Sequence, residues 1–300
     1  MTSDSQQSDH TTGAITVTLG VLILSFDALL IRLADAPAWD VVFWRGAFMA
    51  FSLFLVISFQ KQRNSMQRFI SFGWAALFTA LLQGVGSALF VLAVSHTSVA
   101  NTVVLIATAP LFAAIASHFF LKERVHLRTW ISCVIVVLGV GLVFSSAIEL
   151  EQNTGNIYAI LAAMTLGGNL TILRRHHDLP RMPVVAVSGI VTALLALPLS
   201  APLLLSTESY AWLALMGVVQ MPIALVLITS GTRYLTSPEV SLFLLMETLF
   251  GPIWVWLVLG ETVSRQTLVG GMIIIGTLVI YSWRNIQHNR ATSSQVFVED

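Results

Sequence analysis

Long apolar runs, each near the length that crosses a bilayer, recur ten times and leave this chain little room for any other structure. They fall roughly at 14–34, 38–59, 70–94, 97–120, 127–145, 156–174, 183–205, 210–231, 237–259 and 266–283. A membrane helix needs about 20 apolar residues. In lipid such a run must be helical, because only a helix satisfies its own backbone N–H and C=O groups. Composition agrees: 56% of the residues are hydrophobic and 10% are charged, where a soluble domain carries roughly a quarter charged residues. The least regular run is the sixth, interrupted by Gly167-Gly168 and closed by Arg174-Arg175.

The runs form two copies of one unit. The stretch from His96 to Phe144 returns later in the chain without gaps: Leu111 falls on Leu249, Phe112 on Phe250, Leu121 on Leu259, Glu123 on Glu261 and Thr129 on Thr267. Apolar composition alone gives some of these matches. The two glutamates are stronger evidence, since each closes one apolar run just before the next. In the earlier spans Asp27 pairs with Asn169 and Arg32 with Arg174 at one common spacing, and Gln83 and Gln220 fall within one position of the main spacing. Five spans per copy is an odd number, so the second copy enters the membrane upside down. The expected fold is all-α and integral to the membrane, with ten transmembrane helices in two inverted five-helix repeats, an architecture that places a substrate site between the halves near the midplane. The expected boundaries are a disordered cytoplasmic start at 1–13, a first repeat at 14–145, a periplasmic linker at 146–155, a second repeat at 156–283 and a cytoplasmic tail at 284–300.

Basic residues set the orientation. Lys61, Arg63, Lys122, Arg124, Arg128, Arg174, Arg175 and Arg284 fall on the side of the termini, whereas only Arg32, Arg45 and Arg265 fall on the other. That excess puts both termini in the cytoplasm. The first 13 residues carry no Lys or Arg, unlike a signal peptide. Zero formal net charge gives no reason to expect nucleic acid, and the single cysteine, Cys133, rules out an internal disulfide and reads as packing.

The sequence resembles the drug/metabolite transporter superfamily, and within it the EamA-type branch of bacterial metabolite and amino acid exporters. The residues that carry the resemblance are Ala109-Pro110 with Leu121-Lys122-Glu123, Met246-Glu247 with Leu259-Gly260-Glu261, and Phe43-Trp44-Arg45-Gly46. It covers residues 14 to 283. The family often has Pro where Thr248 stands, so that helix is expected to be less kinked than its counterpart at Pro110. The resemblance implies a bacterial inner-membrane exporter of small metabolites, with aromatic and other neutral amino acids the nearest substrates.

Ionisable and amide side chains inside spans are costly and mark candidate sites. Asp27 and Arg45 lie at comparable depth in spans 1 and 2, where they form a scaffold ion pair or face the cavity. Glu247, near the centre of span 9, is a proton-coupling carboxyl, a partner for a substrate ammonium, or a packing residue. Gln83 and Gln220 lie mid-span beside Gly84 and Pro222, and they line a cavity or bond between helices. Asn169 makes a chance sequon inside span 6 and is a candidate pore-lining amide. Asn101 and Glu239 share a repeat position and read as helix caps. Glu123 and Glu261 read as structural, paired with Arg128 or Arg265 across their turns. Trp39, Trp130, Trp212 and Trp283 read as interfacial anchors. Gly139, Gly141, Gly270, Gly271 and Gly276 allow spans 5 and 10 to pack closely as supports or as a dimer face.

No cofactor fingerprint, catalytic set or Gly-Lys phosphate loop stands out, and His176-His177 lacks further ligands for a metal. The expected partners are a small-molecule substrate and the lipid bilayer, with the protein a monomer or homodimer. For an amino acid zwitterion, Asp27 or Glu247 supplies an acid to the ammonium, and Arg45, Gln83 and Gln220 supply donors to the carboxylate. Two alternatives remain: proton-coupled multidrug efflux through Glu247, and a membrane-embedded enzyme or sensor, which the absent catalytic set argues against.

Overall fold

The computed structural model describes residues 3–59, 63–121, 127–145, 150–176, 178–201, 203–231, 234, 237–277 and 279–280. Among these residues the regular structure is entirely helical. In chain order the helices are α1 (Ser3–Leu24), α2 (Asp27–Leu33), α3 (Ala38–Phe59), α4 (Arg63–Ser71), α5 (Trp74–His96), α6 (Val99–Ile106), α7 (Ala109–Leu121), α8 (Leu127–Phe144), α9 (Leu150–Arg175), α10 (Arg181–Ala196), α11 (Thr207–Ala214), α12 (Met221–Gly231) and α13 (Ser237–Leu259). A π-helical stretch, Leu215–Gln220, joins α11 to α12, and a last helix, α14, covers 265–277.

Six stretches among the described residues are long and apolar enough to cross a membrane: Thr11–Leu33, Ala38–Phe59, Trp74–His96, Val99–Ala116, Asn153–Leu173 and Thr207–Ile228. Val134–Phe144, Arg181–Ala196 and Met246–Leu259 are apolar but shorter. Large apolar side chains such as Phe51, Val137, Leu138 and Leu257 point outward and are exposed. In water such a surface would be unstable, whereas against lipid tails it costs nothing.

Four boundaries differ from the sequence reading. The third apolar run begins not at 70 but at Trp74, because Gly73 takes φ +54° and separates it from the short helix α4. The seventh run does not stay helical to 205. α10 stops at Ala196; Leu197 keeps helical angles, and Pro198 after it has no N–H with which to continue the ladder. The chain beyond is pinned instead by Asp40, whose carboxylate accepts the Ala201 N–H at 2.6 Å. The polar start, expected to be disordered, is helical from Ser3, and α9 begins at Leu150 inside the expected linker. The tail 284–300, the Lys122-Glu123-Arg124 turn and Trp283 lie outside the described residues, as do the side chains of Trp130, Cys133 and Glu239.

Helix packing pairs the two halves in a regular way. The most extensive contacts are α3 on α10, α5 on α9 and α1 on α12. Glycines allow the close crossings. A Cβ on Gly46 of α3 would lie 2.6 Å from the Gly189 oxygen of α10, and one on Gly189 would lie 2.7 Å from the Gly46 oxygen. The crossing is reciprocal, glycine on glycine. A Cβ on Gly84 of α5 would lie 2.8 Å from the Ser188 oxygen of α10, and one on Gly217 in the π-helical stretch 2.6 Å from the Phe48 Cβ of α3. Gly139 of α8 and Gly270 of α14 also meet within the chain, at 2.7 Å for a Cβ on Gly270, so these glycines support internal packing.

Candidate functional site

Three membrane stretches are interrupted within their length. The first breaks at Ser25-Phe26, between α1 and α2, with no Gly or Pro at the break. Trp254 of α13 braces it: the indole N–H donates to Ser25 Oγ at 3.0 Å, and the ring stacks on Phe26 at 4.7 Å. The fourth breaks at Ala107-Thr108, just before Pro110. The stretch Thr207–Ile228 carries the π-helical segment. Such interruptions free backbone polar groups, and in membrane proteins they occur where a cavity or ligand can use them.

Asp27 opens α2 at the first break. Its carboxylate meets the Arg45 guanidinium of α3 at 2.8 Å, with both side chains 2–3% exposed. The depth match read from sequence thus brings these two residues together. Arg45 lies over the Phe90 ring at 5.5 Å, and its Nη2 donates to Met221 Sδ at 3.4 Å. Gln220 joins the same region: its side-chain amide donates to the Ile23 and Leu24 carbonyls at 3.1 and 3.4 Å, one turn before Asp27. Several atoms here are buried and unpaired, namely Arg45 Nε and Nη1, Asp27 Oδ1 and Gln220 Oε1. An unpaired buried donor or acceptor costs about 1–3 kcal/mol, and more when charged.

Next to this cluster is a cavity of about 50 Å³, lined from both halves by Phe90, Val103, Ile106, Ala107, Pro110, Leu166, Leu170, Leu244, Glu247 and Thr248 among others. At about 10–15 Å³ of probe-occupied space per water, it has room for a few waters, less than a metabolite needs. Glu247 and Thr248 are the polar side chains among its lining residues. Glu247 brings a half-buried carboxylate within electrostatic reach of Asp27 and Arg45. Pro110 and Pro252 lack an N–H, so neither can bond the carbonyl four residues before it, Ile106 and Thr248 respectively, and both of those residues line the cavity. α13 runs unbroken through Thr248, whereas the fourth stretch breaks before Pro110, as the Thr-for-Pro difference implied.

Of the six residues singled out from the sequence, Asp27, Arg45 and Gln220 form one cluster and Glu247 lines the adjoining cavity. Gln83 and Asn169 are elsewhere. The Asn169 amide donates to Gln83 Oε1 at 3.4 Å between α5 and α9, and neither residue lines the cavity. That pairing repeats the Gln220 contact near Asp27 in the other half, with one difference: Arg45-Gly46 of α3 corresponds to Ser188-Gly189 of α10, so only one half carries charge.

Sequence reasoning missed Phe90, the wall between guanidinium and cavity, since phenylalanines occur in most spans. It also misread two polar residues. Asn101 is not a cap: Ser98 caps α6 by accepting the Asn101 N–H at 3.1 Å, and the Asn101 side chain is buried in a separate network. Glu261 does not pair with Arg265. It reaches Arg32 at 3.4 Å and accepts the Val99 N–H at 2.9 Å, because Gly260 at φ +70° turns the chain back over the start of α6.

A model of the EamA-like transporter family matches residues 11–145 and again residues 153–283, one match per half. The chain is 23% identical to a pseudopaline exporter of Pseudomonas aeruginosa, covering 90% of this chain and 95% of that one. It is 24% identical to an S-adenosylmethionine uptake transporter of Rickettsia felis, covering 82% and 83%. A solved crystal structure superposes with a TM-score of 0.61 over 90% of this chain and 97% of that one, at 13% identity, a likeness of fold. The chain therefore belongs to the EamA-like transporter family of the drug/metabolite transporter superfamily and is a multi-pass membrane transporter.

Proposed function

We propose that the protein is a secondary transporter that exports amino acids or similar small amphiphilic metabolites across the bacterial cytoplasmic membrane by alternating access. The scaffold in this reading is ten spans in two inverted repeats with both termini cytoplasmic. Two family matches in tandem support the duplication. The reciprocal Gly46–Gly189 crossing, and the way α1 on α12 mirrors α9 on α5, support a two-fold relation between halves.

The observation that carries the reading is the pair of complementary polar regions at the centre. Arg45 keeps two buried N–H groups without partners, as a site for a carboxylate would. Glu247 stands in the cavity wall, and the residues whose carbonyls Pro110 and Pro252 leave without a helical donor, Ile106 and Thr248, line it too; these are groups that a site for an ammonium would use. Phe90 stands between them. A molecule with one anionic and one cationic end satisfies both, while the leucines accept varied side chains. Gln83 and Asn169 are assigned to the scaffold. The cavity is too small for such a molecule, so binding requires the halves to part. Of the two named relatives, one is named an exporter and the other an uptake transporter; the export direction proposed here follows the first.

The test is flux of a panel of labelled amino acids in liposomes containing the pure protein. A hydrogen bond to a charged group is worth about 1.5–3 kcal/mol, so Glu247→Gln is expected to lower transport about ten- to a hundredfold. Unchanged transport in both Glu247→Gln and Arg45→Lys would remove these residues from the site. A second reading, proton-coupled multidrug efflux, is favoured by one observation: Glu247 is the sole titratable side chain among the cavity residues. Transport of drugs that follows an imposed pH gradient, with amino acids untouched, would decide for it.

A further inference from the structure

A second polar cluster, separate from the central one, gathers where α2, α6, α9, α13 and α14 begin or end. Arg32, at the end of α2, bridges to Glu261 at 3.4 Å and donates to the Thr97 carbonyl at 3.0 Å. Glu261 also accepts the N–H of Val99, the first residue of α6. A carboxylate at a helix N-terminus satisfies an otherwise orphaned donor and meets the positive end of the helix dipole. Behind this bridge lies a buried set. Thr97 Oγ1 donates to Asn156 Oδ1 at 3.1 Å, the Asn101 amide reaches Thr97 Oγ1 at 3.4 Å and Asn156 Oδ1 at 3.3 Å, and Thr267 Oγ1 donates to Asn101 Oδ1. These four residues are at most 5% exposed, whereas Arg32 and Glu261 are 29% and 27% exposed.

Two features connect this cluster to the cavity. Val103, which lines the cavity, lies four residues beyond Val99 on α6, about 6 Å along the axis. Glu247 and Thr248 stand on α13, and Glu261 follows two residues after its last residue, Leu259, across the turn at Gly260. Any shift of α13 that follows occupancy of the cavity is thus transmitted to the contacts of Glu261. The tied segments come from both halves, so the halves cannot separate at this end while the contacts hold. A partly exposed ion pair is weak enough to break in each cycle, and the buried amides behind it exclude water while it is closed.

We propose that Arg32, Glu261, Thr97, Asn101, Asn156 and Thr267 form a polar latch that seals the cavity at this end of the bundle, and that the cavity opens to this side by release of Glu261 from Val99 and Arg32. The proposal rests on the alternating-access reading. Its test uses full-length Cys133→Ser protein carrying Val103→Cys in proteoliposomes, labelled with a membrane-impermeant thiol reagent from each side separately. Glu261→Gln and Arg32→Gln are expected to raise the labelling rate about tenfold from the latch side and to leave the other side unchanged. A rate within twofold of the parent in both variants, or an equal rise from both sides, overturns the latch. Should either charge variant fail to insert, Thr267→Val, which removes only the hydroxyl donated to Asn101, is read by the same criterion. Flux measured in the same vesicles separates the two claims. One-sided labelling without flux of any tested substrate sinks the transport reading and keeps the latch. Flux in the parent with Val103→Cys unresponsive to latch variants does the reverse.

Discussion

Arg45→Met is expected to destabilise the protein by about 3–5 kcal/mol, because it strips the counter-ion from a carboxylate that is 2% exposed. The measurement is a denaturation midpoint in detergent. The double variant Asp27→Asn with Arg45→Met is expected to recover most of that loss, since a neutral amide among apolar neighbours carries no uncompensated charge. Transport separates the two roles left open for this pair. If Arg45 only locks α2 to α3, the double variant transports near the parent rate once folded. If its Nε and Nη1 groups take a substrate carboxylate, the double variant folds and transport stays at least tenfold down. The second outcome is expected, since a mere scaffold bridge would not leave two guanidinium N–H groups buried and unused.

The second large effect is expected at the crossing of α3 and α10. Gly46→Val places methyl groups beyond a Cβ that already lies 2.6 Å from the Gly189 oxygen and 2.7 Å from the Ala193 nitrogen. Both atoms are backbone, so no side chain can swing aside. Overpacking of this kind costs typically 1–3 kcal/mol, and here it pushes apart the two helices that join the halves, so the upper end of that range or beyond is expected. Gly141→Ala is the internal control. Nothing lies within 4 Å of a Cβ there, and the substitution is expected to stabilise α8 by up to about 1 kcal/mol through helix propensity. Opposite signs for the two substitutions in one thermal-stability assay support the crossing as described, and equal small effects count against it.

What could be read from the sequence follows from which forces act locally. Lipid allows only helix, so apolar runs mark the spans, and the depth of Asp27 and Arg45 within their runs was enough to pair them. The break before Pro110 was legible because proline cannot continue the backbone ladder. The break at Ser25-Phe26 was not, since neither residue disfavours helix and the interruption is held by Trp254 from the far end of the chain. The π-helical stretch, Leu-Met-Gly-Val-Val-Gln, was marked only by Pro222 just after it, beside Gln220; its kind of irregularity was not legible from those residues. Glu261 was assigned to a neighbour in sequence because charge pairs across a tight turn are common, yet the left-handed Gly260 aims it at Arg32 and Val99 instead. Ser98 stood three residues before Asn101, the spacing of an N-cap, and could have been preferred to it as the cap.

A body built from two copies about a two-fold axis looks the same after being turned over, and such a body has no built-in sense of up and down. In the proposed inverted arrangement the helices obey that equivalence and Arg45 does not, since it is answered by Ser188 across the Gly46–Gly189 crossing. If Arg45 holds the anionic end of the cargo, as proposed, the cargo keeps one head-to-tail attitude whichever door stands open, and a single guanidinium is the compass of the machine.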